Sequence, residues 1–249
     1  MAKVKNAIIL AAGLGSRIPS VSDIHPKGFI SFEGISLIER SLIGLIEAGI
    51  EHIILGVGYK SEYYKELSDK YRQITCCFNP YFEKSGSLET LLYAKNHVQD
   101  DFLLLESDLL YDLKGLDVLI HHPKENVILA SSQTNSGDEV YLEADDENFL
   151  QNVSKNSGLL RHISGELVGI SKISHHLVCC LEKFVDQSTK RPTLLDYETS
   201  LVKIKDIVPI FVHKEPNYIW TEIDNLYHYH RAKNQIWSKL KGLPYEESR

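Results

Sequence analysis

Residues 6–12, "NAIILAA", are a short apolar run closed almost at once by Gly13 and Gly15. That profile belongs to a buried strand of a parallel sheet, covered on both faces. The pattern then repeats with helices between. "SLIERSLIGLIEAGI" (36–50) sets Leu37, Ile38, Leu42, Ile43, Leu45 and Ile46 at helical spacing and closes on Gly49 as the C-cap. "EHIILGVGY" (51–59) reads as a second strand, "SEYYKELSDKYR" (61–72) as a helix capped by Ser61, and "ITCCFN" (74–79) as a third strand. "GSLETLLYAKNHV" (86–98) is helical, and "DFLLLESDLL" (101–110) is a strand ending in acidic residues. Strand and helix alternating across short joints predict a doubly wound, mainly parallel α/β sheet. Ligands of such sheets gather outside the carboxyl ends of the strands. The Gly13–Gly15 turn, the Gly58-Tyr59 turn and Asp108 all fall there.

The second half alternates less regularly. "NVILASSQ", "EVYLEAD" and "GELVGISKIS" read as strands, some antiparallel, and "SHHLVCCLEKFVDQS" (174–188) as a helix. "VPIFVHKE" is a late strand, "NLYHYHRAKNQIWSKLKG" a terminal helix, and "ADDEN" (144–148) a solvated turn. At 249 residues the expectation is one domain over 1–240, with a nucleotide-binding half (1–120), an acceptor-binding half (121–240) and a tail or linker over 241–249.

Between the first strand and the following chain, a G-x-G turn exposes backbone N–H groups that can line a phosphate. Ile18 stands where a dinucleotide fingerprint needs its third glycine, and the Gly-Lys-Ser/Thr of a P-loop is missing. Arg17 can fork onto phosphate oxygens, and Lys27 supplies a point charge on a backbone held by Pro26. A formal net charge of −7 argues against a nucleic-acid partner or an anionic membrane surface. No apolar stretch nears the roughly 20 residues of a membrane span, and no secretory leader is recognisable. The adjacent pairs Cys76-Cys77 and Cys179-Cys180 lack zinc or C-x-x-C spacing and read as reduced thiols in the cytoplasm. No H-x-x-x-H pairing occurs among the eleven histidines, which argues against zinc.

"LAAGLGSR...PKGF" resembles the L-x-x-G-x-G-x-R-(x)n-P-K signature of the sugar-phosphate-type nucleotidyltransferases. "VGY" after strand two, "ESD" after strand four and "WTEIDN" near the end extend the resemblance over nearly the whole chain. It implies a Rossmann-like, GT-A-like fold with a small antiparallel acceptor-binding part, and transfer of a nucleotide to a phosphorylated acceptor. Lys27 and Arg17 would be catalytic. Leu10, Ala12, Gly13, Gly15 and Ser16 would line the triphosphate, and Mg2+ would sit on Asp108 and Asp224. Charge neutralisation and alignment dominate such transfers, so a magnesium site with one or two carboxylates is expected. Asp224 can alternatively cap the last helix. Glu106 and Glu222, two positions before each aspartate, would stand behind them.

"N-P-Y-F-(x)n-S-L-x-x-L-L-Y-A" is similar to the branch that activates phosphocholine or 2-aminoethylphosphonate with CTP. By position in that pattern Tyr59, Asn79, Gly86 and Ser87 would meet cytosine and ribose. Glu139, Tyr141, Asp196, Tyr197 and Trp220 would surround the acceptor. A quaternary ammonium calls for an aromatic cage, whereas a primary ammonium offers three donors to carboxylates. The acidic neighbours of Val140 and Asp196 favour 2-aminoethylphosphonate. A fusion to an aminotransferase domain and a homodimer stay open.

Overall fold

In the computed structural model, which describes residues 4–15, 25–188 and 190–241, the alternation read from the sequence becomes a layered α/β fold. The chain begins with β1 (Asn6–Ala11), a 3-10 turn at Lys27–Phe29, and a tight hairpin of β2 (Ser31–Phe32) and β3 (Ile35–Ser36). Helix α1 (Leu37–Glu47) starts on a capping box: the Glu39 N–H donates to Ser36 Oγ, whose hydroxyl donates to the Glu39 carboxylate. Its last residue is Glu47 and its C-cap is Ala48 rather than Gly49; Gly49 follows at φ 91°, a left-handed conformation that favours glycine. β4 (His52–Val57), α2 (Ser61–Lys70), β5 (Ile74–Phe78), α3 (Ser87–Ala94) and β6 (Phe102–Glu106) follow. Ser61 does not cap α2. Lys60, at φ 51°, holds the cap position, and Ser61 is the first helical residue.

Past β6 the chain turns at Ser107-Asp108 instead of continuing extended, then forms β7 (Leu109–Tyr111) and α4 (Lys114–His121). Next come β8 (Val127–Ser131), β9 (Tyr141–Ala144), β10 (Leu150–Ser154), β11 (Gly165–Ile173), α5 (His175–Ser188) and α6 (Tyr197–Ile204). β12 (Phe211–Glu215), β13 (Trp220–Glu222), α7 (Leu226–Arg231), a π turn and α8 (Trp237–Leu240) close the described chain. No helix among the described residues is long and apolar enough to cross a membrane. All four cysteines are free thiols.

Nine strands make one sheet. β6, β1, β4 and β5 run parallel in that spatial order. β11 lies antiparallel to β6 and carries the second half of the sheet through β8 and β9. One strand serves three neighbours because its register breaks between Leu167 and Ser171, where Gly169 sits at φ 84°. The bend also clears Glu106: a Cβ on Gly169 would lie 3.1 Å from the Glu106 carboxyl carbon.

Strand alternation divides the core in two. Ile8, Leu10, Ile54 and Leu104 face α3, α5 and α6; Ala7, Ile9, Ile53, Leu55, Leu103 and Leu105 face α1, α2 and α4. A third cluster joins Phe32, Leu37, Leu110 and Ile223 to Ile236 and Trp237 of the terminal helical stretch. It clamps the C-terminal segment over the chain that carries Lys27.

Candidate active site

The carboxyl ends of β1 and β6 meet at a cavity of about 340 Å³. Gly13 and Gly15 form one wall, with Gly15 at φ 66°. The Tyr59 N–H donates to Ala12 O (3.3 Å), and the Ser107 N–H to Leu10 O (3.2 Å), so the ends of β1, β4 and β6 are tied to one another. The opposite wall is built by two segments distant in sequence. At the start of α3, the Gly86 N–H donates to Thr193 O and the Leu88 N–H to Leu195 O. A Cβ on Gly86 would lie 2.2 Å from Leu195 O, so this close approach requires glycine. Ser87 Oγ accepts the Tyr197 N–H (2.9 Å), and the Tyr197 hydroxyl donates to Glu106 (2.7 Å). Buried Glu89 secures the junction by accepting from the Arg191 guanidinium and the Thr193 N–H.

The charged centre depends on a long-range strand pairing. β13 pairs antiparallel with β7, and the Ile223 N–H donates to Asp108 O, which sets Asp224 beside Asp108. The Lys27 ammonium lies 3.3 Å from Asp108 and is bonded directly to Asp224. Burial works to lower the Lys27 pKa, but Asp108 and Asp224 outweigh it and hold it above its ordinary value, so the ammonium stays charged. Asp224 does not cap the terminal helical stretch; Asn225 caps its first helix, α7, by accepting the His228 N–H. Its carboxylate is fully buried behind Lys27, whereas Asp108 lines the cavity.

Glu106, Asp108 and Glu222 offer oxygens within 4.8 Å of one another, as do Asp138, Glu222 and Asp224. Burial first, then neighbouring carboxylates, push Glu106 and Glu222 well above the usual carboxylate range. An all-oxygen donor set with crowded negative charge fits a hard divalent cation such as Mg2+.

A smaller cavity of about 60 Å³ adjoins the first and shares Glu106, Lys155, Glu198 and Glu222 with it. Asp138, Glu166, Trp220 and Arg231 line its remainder. Burial, followed by Asp196, raises the Glu198 pKa. Lys155 is ion-paired with Asp138 at 3.1 Å.

Leu10, Ala12, Gly13, Gly15, Gly86, Ser87, Lys27, Asp108, Asp196 and Tyr197 all line the larger cavity, and Trp220 the smaller. Asp224, buried behind Lys27, lines neither, and four further expected residues stand elsewhere. The Asn79 amide is spent on Ser85 and the Tyr81 N–H of its own loop and on Thr90 of α3, and Tyr59 contributes its backbone to the strand-end turn but no cavity wall. Glu139 and Tyr141 line neither cavity; Asp138 and Val140 line the smaller instead. Extended chain alternates sides, and Val140, Leu142 and Ala144 face the core, so the inward parity is even. Ser16 and Arg17 lie outside the described residues. The sequence reading had missed Lys155, Glu166 and Arg231. A single lysine in "NVSKNSG" carries no local pattern, and only folding sets it at the junction of the cavities.

A family model described as "MobA-like NTP transferase domain" matches residues 7–171. A UTP–glucose-1-phosphate uridylyltransferase of Haloferax volcanii is 29% identical over 45% of this chain and 47% of its own length. A 2-aminoethylphosphonate cytidylyltransferase of Lancefieldella rimae is 32% identical over 43% of this chain and 44% of its own. The chain spans about half the length of the curated relatives it matches. The solved inositol-1-phosphate CTP transferase of T. maritima superposes with a TM-score of 0.82 at 19% identity, over 97% of this chain and 98% of that one, and so shares the fold.

Proposed function

The chain belongs to the MobA-like NTP transferase domain family, and from that premise we propose that it transfers CMP from CTP to 2-aminoethylphosphonate, releasing pyrophosphate. The smaller cavity carries this reading. It is walled by the carboxyl groups of Glu106, Asp138, Glu166, Glu198 and Glu222, with Trp220 as its aromatic ring. A primary ammonium donates three hydrogen bonds and suits such a wall; a quaternary ammonium donates none and needs a ring cage. Tyr197, at the neighbouring cavity, gives a phosphocholine reading its second ring.

A phosphonate oxygen of the acceptor attacks the α-phosphorus of CTP. The new P–O bond forms as the bond to the β-phosphate breaks, and pyrophosphate leaves with the electron pair. The attacking oxygen is already anionic near neutral pH, so no general base is required. Lys27 offsets the repulsion between acceptor and α-phosphate, and Lys155, at the junction of the two cavities, faces the phosphonate. The Gly13–Gly15 backbone, with Arg17, holds the leaving pyrophosphate. Gly86 and Ser87 meet the nucleoside. Asp108 and Asp224, backed by Glu106 and Glu222, would hold Mg2+, which when bound would supply charge neutralisation on the phosphates.

Pyrophosphate release is measured with CTP, UTP, GTP and dTTP, each crossed with 2-aminoethylphosphonate, phosphocholine and glucose 1-phosphate. CTP with 2-aminoethylphosphonate should give the highest kcat/KM; glucose 1-phosphate as best acceptor would overturn the reading. Glu198→Gln should raise the KM for 2-aminoethylphosphonate roughly 10- to 100-fold, the cost of a hydrogen bond to a charged group, and leave that for CTP within about twofold. An unchanged acceptor KM would remove Glu198 from the ammonium site.

A further inference from the structure

His228 sits on the first turn of α7 with 2% of its surface exposed, and no step above uses it. Its ring spans two segments. Nδ1 lies 3.3 Å from the Asp224 backbone nitrogen, which can only donate, and Nε2 lies 3.3 Å from Ser136 O, which can only accept. The contacts therefore dictate the neutral tautomer protonated on Nε2: one nitrogen receives and the other gives.

Both ends of this brace matter. Asp224 bonds Lys27 and belongs to the carboxylate set proposed for the divalent cation. Ser136 lies in the irregular stretch 132–140, which supplies one wall of the smaller cavity through Thr134, Ser136, Asp138 and Val140. That stretch is anchored at several points: its far end by the Leu167 N–H donated to Val140 O and by the Lys155–Asp138 pair, its middle by two others. Thr134 donates its N–H and hydroxyl to Glu166 (2.6 and 2.9 Å), and Ser136 O accepts from His228. Two residues on, Asp138 joins Glu222 and Asp224 in one cluster of oxygens.

We infer that His228 is a positioning residue that locks the acceptor-side loop to the cation-binding aspartate segment, so that each is ordered through the other. The inference rests on the proposed reading for the names of the two subsites; the brace itself does not depend on which acceptor is used.

Asparagine and glutamine separate the two arms. In His228→Asn, Oδ1 stands in for Nδ1 and keeps the Asp224 N–H but falls short of Ser136. In His228→Gln, the terminal amide takes the place of Nε2 and keeps Ser136 but leaves Asp224. Mn2+ binding followed by electron paramagnetic resonance should weaken about tenfold in His228→Gln, the scale for losing an outer partner of a metal ligand, and stay near wild type in His228→Asn. Amide exchange over 134–139 should speed up in His228→Asn and stay near wild type in His228→Gln. The KM for 2-aminoethylphosphonate should rise in His228→Asn while that for CTP holds. A purely packing role would lower the melting temperature of both variants without this split. Equal behaviour of the two variants in Mn2+ binding and exchange overturns the brace. If wild type fails to couple CTP to 2-aminoethylphosphonate, the acceptor reading falls, and Mn2+ binding and exchange still decide the role of His228.

Discussion

Lys27→Ala should lose at least about 10²- to 10³-fold in turnover, the scale for deleting one preorganised charge contact to a transition state. The same variant should bind Mn2+ more tightly than wild type in the absence of nucleotide. The ammonium lies 3.3 Å from Asp108 and is bonded to Asp224, so it competes for the oxygens that would hold the cation. Removing it leaves the two aspartates and Glu222 close together without an internal counter-charge. Stopped-assay turnover and Mn2+ titration on one preparation test both halves, with circular dichroism in Mg2+ confirming the fold. Near-normal turnover would dismiss Lys27 from the reaction; weaker Mn2+ binding would show that the lysine supports the cation site instead of competing for it.

Asp224→Asn should be nearly as damaging, for a different reason. Its carboxylate is fully buried and sequence-distant from its partner, 197 positions from Lys27. Asparagine keeps the shape and deletes the charge that both holds Lys27 and attracts the cation. Turnover should fall by at least about 10²-fold. Breaking a buried ion pair costs on the order of 3–5 kcal/mol, and Asp108, still beside Lys27, offsets part of that loss. The melting temperature should therefore drop in EDTA, and added Mg2+ should raise it less than it raises wild type. A variant with wild-type turnover and an undiminished Mg2+ response would exclude Asp224 from the cation set.

Where sequence reading succeeded, the signal was local. The buried strand over 6–11, the glycine turn after it and the helix that stops just before Gly49 each follow from periodicity or from one residue's backbone freedom. So does the resemblance built on Gly13, Gly15, Pro26 and Lys27, because the spacing of a strand-end turn is written within one segment. Where it failed, the missing information was phase or distance. Whether Asp138 or Glu139 lines the smaller cavity depends on how β9 meets β11, a relation between strands separated by a long excursion. Asn79 has the composition of a ligand contact, yet its NH2 group donates to the Ser85 and Thr90 hydroxyls and its oxygen accepts the Tyr81 N–H.

By itself, then, the amino-acid order determined that this chain makes a wound α/β sheet with an anion-ready turn at its first strand end, since hydrophobic period and turn chemistry act over a few residues. Only the tertiary structure decided that Lys27, Asp108 and Asp224 converge, that Lys155 joins the two cavities, and that His228 contacts both Ser136 O and the Asp224 N–H. Those relations hang on the pairing of β7 with β13 and on the bend in β11, contacts whose ends lie far apart along the chain and which no local pattern encodes.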